Sequence, residues 1–194
     1  RGAGNLLGHS QHGHMEAVGY DLYVKMLTQA IARAKGEPIR RDKSECLVDL
    51  RVDAYIPERY IPDGPGRIEA YRRIAAIQTP EDGADVLDEL IDRYGDPPRT
   101  VNNLISIALL RAAAAENGVT DISQKGGGLP FTLGSFALRR VSALCALDKY
   151  RGRLLFSAGE KPYLALRLKK GEDPLKLGRT LIEDYGRTGE AEGE

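Results

Sequence analysis

Residues 79–116 constrain the fold more than any other stretch, because they mark out two helices end to end together with their boundaries. Thr79 is an N-cap residue, Pro80 suits the first helical position, and Asp82 stands three residues on. Val86, Leu87, Leu90 and Ile91 follow at helical spacing, which predicts a helix to about Arg93 that buries all four. The stretch "YGDPP" ends that helix and opens another over 98–116, rich in Leu, Ile and Ala.

Around this pair the texture is mixed. Upstream, "CLVDLRVDAYIP" predicts a strand from Leu47, with Val48, Leu50 and Val52 on one side and Asp49, Arg51 and Asp53 on the other. Pro57, Pro62 and Pro65 then enforce an extended, irregular run. A short amphipathic helix follows in "GRIEAYRRIAAIQ", with Ile68, Tyr71, Ile74 and Ala75 on its apolar side. Downstream, "VTDISQKGGGLPFTLG" predicts two strands around a Gly126–Gly128 turn, and residues 135–150 are expected to be helical. "RLLFSA" and "YLALRLK" predict a hairpin across "GEKP", and 173–186 a last helix. Near the N-terminus, apolar spacing from Met15 to Lys35 predicts a long helix, which with residues 5–11 makes a helical hairpin over 1–36. The six charges, Gly and Pro of "GEPIRRDKSE" predict a linker, 37–45. The expected class is α+β. It comprises the hairpin, the linker, a compact mixed domain over 46–187 with several helices and a small sheet, and a frayed tail over 188–194.

A chain of 194 residues suits one or two domains, and its net charge of zero argues against a wholly basic nucleic-acid module. No apolar run spans a bilayer and no signal-peptide pattern opens the chain. Cys46 and Cys145 are expected to be buried, reduced thiols of a cytosolic protein. Gly2, Gly4 and Gly8 mimic a dinucleotide-binding turn, but no strand precedes them and Gly8 and Gly13 interrupt the helix that must follow. No phosphate-binding loop, nucleophile elbow or His-Glu-x-x-His run is present. His9, His12 and His14 lack metal-ligand spacing and are expected to be exposed, so no metal site is expected. The pairs Asp88/Glu89 and Glu183/Asp184 point about 100° apart on helices, as on solvated faces. No catalytic residue is expected, and this chain by itself is expected not to be an enzyme. The start at Arg1 within a glycine-rich stretch is expected of a piece of a longer protein.

Two sets of residues carry a resemblance. "RGAGNLLG", Gln11 and "GHMEAVGYDLYVKML" resemble the translocation motif at the edge of the second motor lobe of bacterial transcription-repair coupling factors, shared with a related branched-DNA translocase. "IPERYIPD", "EAYRRIA", "ELIDRYGDPP" and "VNNLI" resemble, in that order, the C-terminal domain of the same family. The likeness covers essentially the whole chain. His9 and Ser10 depart from an acidic pair, and His12 from a small residue.

The resemblance implies that the glycines let the hairpin fold tightly beside the motor. It also implies that Arg1 and Gln11 relay ATP-driven movement to double-stranded DNA. ATP and magnesium would belong to the parent's motor domains, with no cofactor in this chain. The C-terminal domain would be regulatory, packing on another domain of the same protein and masking the surface that recruits the damage-recognition ATPase of excision repair. Release would be linked to RNA polymerase. The protein would be cytoplasmic and make no membrane contact. Glu81, Asp85, Asp88, Glu89 and Asp92 would give helix 80–94 a charge suited to a basic surface, with Glu89, Asp85 and Asp92 as interdomain contacts. The alternative is an accessory nucleic-acid-binding module in which Arg40, Arg41, Arg72 and Arg73 contact phosphate.

Overall fold

The structure, a computed structural model, describes residues 46–190. The elements in chain order are β1 (Leu47–Asp49), α1 (Gly64–Ala75), α2 (Pro80–Tyr94), α3 (Arg99–Glu116), β2 (Val119–Ser123) and β3 (Gly128–Leu133). They continue with α4 (Leu138–Ala146), a 3-10 turn (Asp148–Tyr150), β4 (Leu154–Ser157), β5 (Tyr163–Arg167) and α5 (Pro174–Glu190). The class is α+β, as expected. The described residues divide into two units, 53–108 and 46–52 with 109–190.

The first unit is helical. Asp63 caps α1 by accepting the Gly66 N–H at 2.6 Å, and Pro65 lies in the first helical turn. Pro65 therefore starts the helix and does not prolong the extended run, since a proline in the first turn forfeits no helical hydrogen bond. Ala70, Tyr71 and Ile74 of α1 are buried, whereas Ile68 and Ala75 are half-buried. At α2 the Asp82 N–H donates to Thr79 Oγ1 at 3.1 Å, and the Thr79 N–H returns to the Asp82 carboxylate at 2.9 Å. The Gln78 N–H first, and then the Thr79 N–H, hold the Asp82 carboxyl below the usual carboxylate range. Val86 and Leu90 are buried, Leu87 is half-buried, and Ile91 is 38% exposed, contrary to expectation. Ile91 lies about 100° round the helix from Leu90, beyond the arc that Val86 and Leu90 bury. Gly95, at φ 79°, stops α2 in a conformation that side chains with a Cβ disfavour.

Thr79→Ala is expected to cost about 1 kcal/mol, because the Asp82 N–H loses its acceptor while the backbone N–H of residue 79 keeps the Asp82 carboxylate. Urea unfolding of the variant beside Thr79→Ser, which keeps the hydroxyl, checks this.

The second unit holds a five-stranded sheet in the order β1-β2-β3-β5-β4. β1 runs parallel to β2 and every other pair is antiparallel. β1 is shorter than the strand expected from Leu47 to Val52. The Gln124 N–H bonds the Asp49 carbonyl at 2.9 Å, Gln124 Oε1 accepts the Arg51 N–H, and the Val52 N–H folds back on the Leu50 carbonyl. The alternation survives that bend, with Cys46, Val48 and Leu50 buried between the exposed Leu47, Asp49 and Arg51. Cys145, by contrast, is only half-buried.

Gly126 and Gly127, both at positive φ, turn β2 into β3 as expected. Leu129, Phe131 and Leu133 of β3, with Leu164 and Leu166 of β5, form the buried face of the sheet. Residues 135–150 are not one helix: Leu147, at ψ 124°, separates α4 from the 3-10 turn. α5 continues past residue 188, where fraying was expected, with Thr188 Oγ1 donating to the Tyr185 carbonyl at 2.7 Å.

Candidate functional site

On α2 the helical step of about 100° puts Glu81, Asp85, Asp88, Glu89 and Asp92 within an arc of roughly 100°. This arc is separate from the buried arc of Gly83, Val86 and Leu90. Glu81, Asp85, Asp88 and Asp92 are exposed. Ile91 stands exposed next to the acids, so the row has an apolar flank. The whole-chain charge hides this character. Residues 53–108 carry eleven acids against six arginines and no lysine. Residues 46–52 and 109–190 carry fifteen bases against ten acids.

Glu89 differs from its neighbours. Its carboxylate lies 2.7 Å from Arg73 Nη1 of α1 and 3.2 Å from Arg93 Nη1 one turn on, and its side chain is 26% exposed. Glu89 thus brackets α1 to α2, and its hydrogen bond to Arg93 is the main cause pushing that guanidinium up. Arg93 also stacks 5.1 Å over the Tyr94 ring, whose neighbour Tyr60 places its hydroxyl 2.9 Å from the Gly95 carbonyl. Of the four arginines weighed for phosphate contact, two are described: Arg73 is paired with Glu89, and Arg72 is exposed on α1. The acids were legible as a helix face, whereas the Arg73 contact, sixteen residues away, carries no local signal.

The second unit holds a polar cluster that sequence reasoning missed. Asp184, read as a solvated acid beside Glu183, is 5% exposed. Its Oδ2 accepts the Tyr150 hydroxyl at 2.5 Å and Lys149 Nζ at 2.6 Å, and its Oδ1 accepts Arg187 Nη2 at 2.7 Å. Glu183 is exposed and pairs with Arg179 as a surface acid does. Next to Asp184 in sequence is Tyr185; Arg140 lies 4.0 Å over its ring and donates to Asn117 Oδ1 and the Tyr185 carbonyl. Arg187 shares α5 with Asp184, but Lys149, Tyr150 and the partners of Arg140 come from elsewhere in the chain, which is why no spacing announced them.

Arg1, Gln11, His9, His12, His14, Arg40 and Arg41 lie outside the described residues, as do the 1–36 hairpin and the 37–45 linker. Among the described residues no three His, Cys, Asp or Glu converge on a metal-sized site. No described helix is long and apolar enough to cross a membrane.

The family model described as the TRCF domain matches residues 50–141. The transcription-repair-coupling factor of Bacillus subtilis is 37% identical over 188 residues, covering 97% of this chain and 15% of that protein. Those of Staphylococcus haemolyticus and Staphylococcus aureus are 38% and 42% identical over 73% and 65% of this chain. The chain therefore spans between 11% and 15% of the length of these relatives. A crystal structure of the C-terminal domain of transcription-repair coupling factor shares the fold, with a TM-score of 0.63 at 22% identity. That likeness covers 77% of this chain and 98% of the other. With the sheet and helices of that domain and a TRCF domain in its sequence, the chain belongs to the transcription-repair coupling factor family.

Proposed function

We propose that the chain is the C-terminal part of a cytoplasmic, ATP-dependent DNA translocase that couples removal of stalled RNA polymerase to nucleotide excision repair. Its described part is then a regulatory, autoinhibitory interaction module with no catalysis of its own. The observation that carries this reading is the acidic row of α2: four exposed acids beside the exposed Ile91, in a unit where acids outnumber bases. A charged row with an apolar flank suits a reversible contact with a basic surface. The proposed surface belongs to another domain of the same protein, which when covered cannot recruit the damage-recognition ATPase. Asp85 and Asp92 make the contact directly. Glu89 joins them while holding Arg73 and Arg93 in place, so the row is presented on a fixed pair of helices.

The hairpin over 1–36 supplies the other half of the reading, with Arg1 and Gln11 relaying motor movement to double-stranded DNA. Arg offers a five-donor fork for phosphate, and a glutamine amide both donates and accepts. ATP and magnesium act in domains outside this chain.

The test is made in the full-length protein with Asp85→Lys/Asp92→Lys. Lost attraction and added repulsion at two sites should raise DNA-independent binding of the damage-recognition ATPase by on the order of tenfold or more. The melting temperature of the 194-residue chain should stay within a few degrees, since neither side chain is buried. Unchanged recruitment by a folded variant would sink the inhibitory role. Salt-dependent DNA binding by this chain, abolished by Arg72→Ala, would instead favour the nucleic-acid module.

A further inference from the structure

The sheet ends on an open edge that none of the functions above uses. We propose that β4 is a docking edge on which an extended, acidic segment of a partner protein adds as a sixth strand.

The backbone comes first. The Arg167 N–H bonds the Arg153 carbonyl at 2.9 Å, and β4 pairs with β5 in the register Leu154↔Leu166 to Ser157↔Tyr163. In an antiparallel ladder, bonded and non-bonded positions alternate. Leu155 and Ser157 therefore face β5, and Leu154 and Phe156 turn their N–H and C=O groups outward. β4 is last in the sheet order, so no described strand meets those groups.

The side chains come next. Exposed edges are ordinarily blunted by a charge, a proline or a bulge. "LLFS" has none of these. Instead Leu155 is 59% and Phe156 49% exposed. Phe156 stacks on Phe136, with centroids 5.9 Å apart, and Leu138, two residues on from Phe136, is also exposed. An added strand would find an apolar ledge at Phe136 and Phe156 on one face and Leu155 on the other, as alternate side chains of an extended peptide require.

Charge selects the occupant. Exposed Arg151 precedes the strand, exposed Lys161 lies in the turn after it, and exposed Arg167 stands at the end of β5. Against them stand Asp148, paired to Arg151 at the surface, and Glu160 in the same turn. This excess of cations attracts an acidic strand and repels a second copy of the same edge. Nucleic acid would use the cations, but would leave the outward amide and carbonyl pairs of β4 unmatched.

The test uses the 194-residue chain and a fluorescein-labelled peptide with three valines at alternate positions between pairs of glutamates, beside a lysine-flanked twin. The glutamate peptide should raise fluorescence anisotropy and slow amide exchange at Leu154 and Phe156. The lysine twin should bind at least about tenfold more weakly. Phe156→Pro removes an outward N–H without touching the β5 ladder and should weaken binding at least about tenfold, whereas Phe156→Val should retain most of it. The exchange measurement needs no variant, so a misfolded proline variant does not remove the test. No slowing at Leu154 and Phe156, or equal binding of the two peptides, overturns the proposal. So does a concentration-dependent dimer abolished by Phe156→Pro, which would make the occupant a second copy. Preferential binding of a single-stranded oligonucleotide over the glutamate peptide overturns it as well.

Discussion

Phe131→Ala is expected to destabilise the chain by about 3–5 kcal/mol, because it deletes a fully buried aromatic side chain from a sheet that cannot collapse around the space. Phe131 sits at the middle of β3, between Ile122 of β2 and Leu164 of β5, and all three side chains are at most 1% exposed. Its loss costs both transfer energy and dispersion contacts. For a chain of this size that is a fall in melting temperature on the order of 10 °C. Hydrogen exchange should show the loss first in the amides of β2, β3 and β5. The control is Leu155→Ala, at an exposed position, which should stay within about 0.5 kcal/mol of the parent. Equal losses from the two substitutions would mean that the sheet does not bury Phe131 in solution.

The second large effect belongs to Asp184. Lys149 and Arg187 are half or more exposed, so when the carboxylate is removed both can return to water. Tyr150, 3% exposed, cannot. Asp184→Ala therefore strands a buried hydroxyl and should cost about 1–3 kcal/mol, and Asp184→Asn, which keeps an acceptor, should cost less. The pH dependence has a definite sign. Burial pushes the Asp184 carboxyl up, but the hydrogen bonds from Lys149 and Tyr150 and the charges of Lys149 and Arg187 outweigh burial and hold it below the usual range. The same contact raises the Tyr150 phenol, through burial first and then through the carboxylate. A lowered folded-state value means that the stabilisation is present above the unfolded pKa of about 3.9 and is lost as pH falls through the folded value. Chemical denaturation from about pH 6 to pH 2 should show the parent losing stability in the acid range more steeply than Asp184→Asn. Parallel curves would remove Asp184 as the titrating group.

What could be read from the chain alone was what neighbours in sequence decide. Thr79, Pro80 and Asp82 start α2 through contacts no more than four residues long, and Gly95 ends it through its own φ. Gly126 and Gly127 turn the β2–β3 hairpin, and the alternation around β1 told that strand's buried side from its exposed one. The acidic row of α2 was legible for the same reason, since a helical period and a list of charges are enough to place acids on one arc. The tertiary structure alone decided which of those acids is already occupied, because Arg73 reaches Glu89 only when α1 lies against α2. It likewise paired β1 with β2 across more than seventy residues, left β4 at an open edge, and buried Asp184 beneath a tyrosine thirty-four residues away. Local signals arise from backbone geometry and adjacent hydrogen bonds, which each segment carries wherever it lies. Burial and ion pairing arise from which faces meet, and that is a property of the packed elements together.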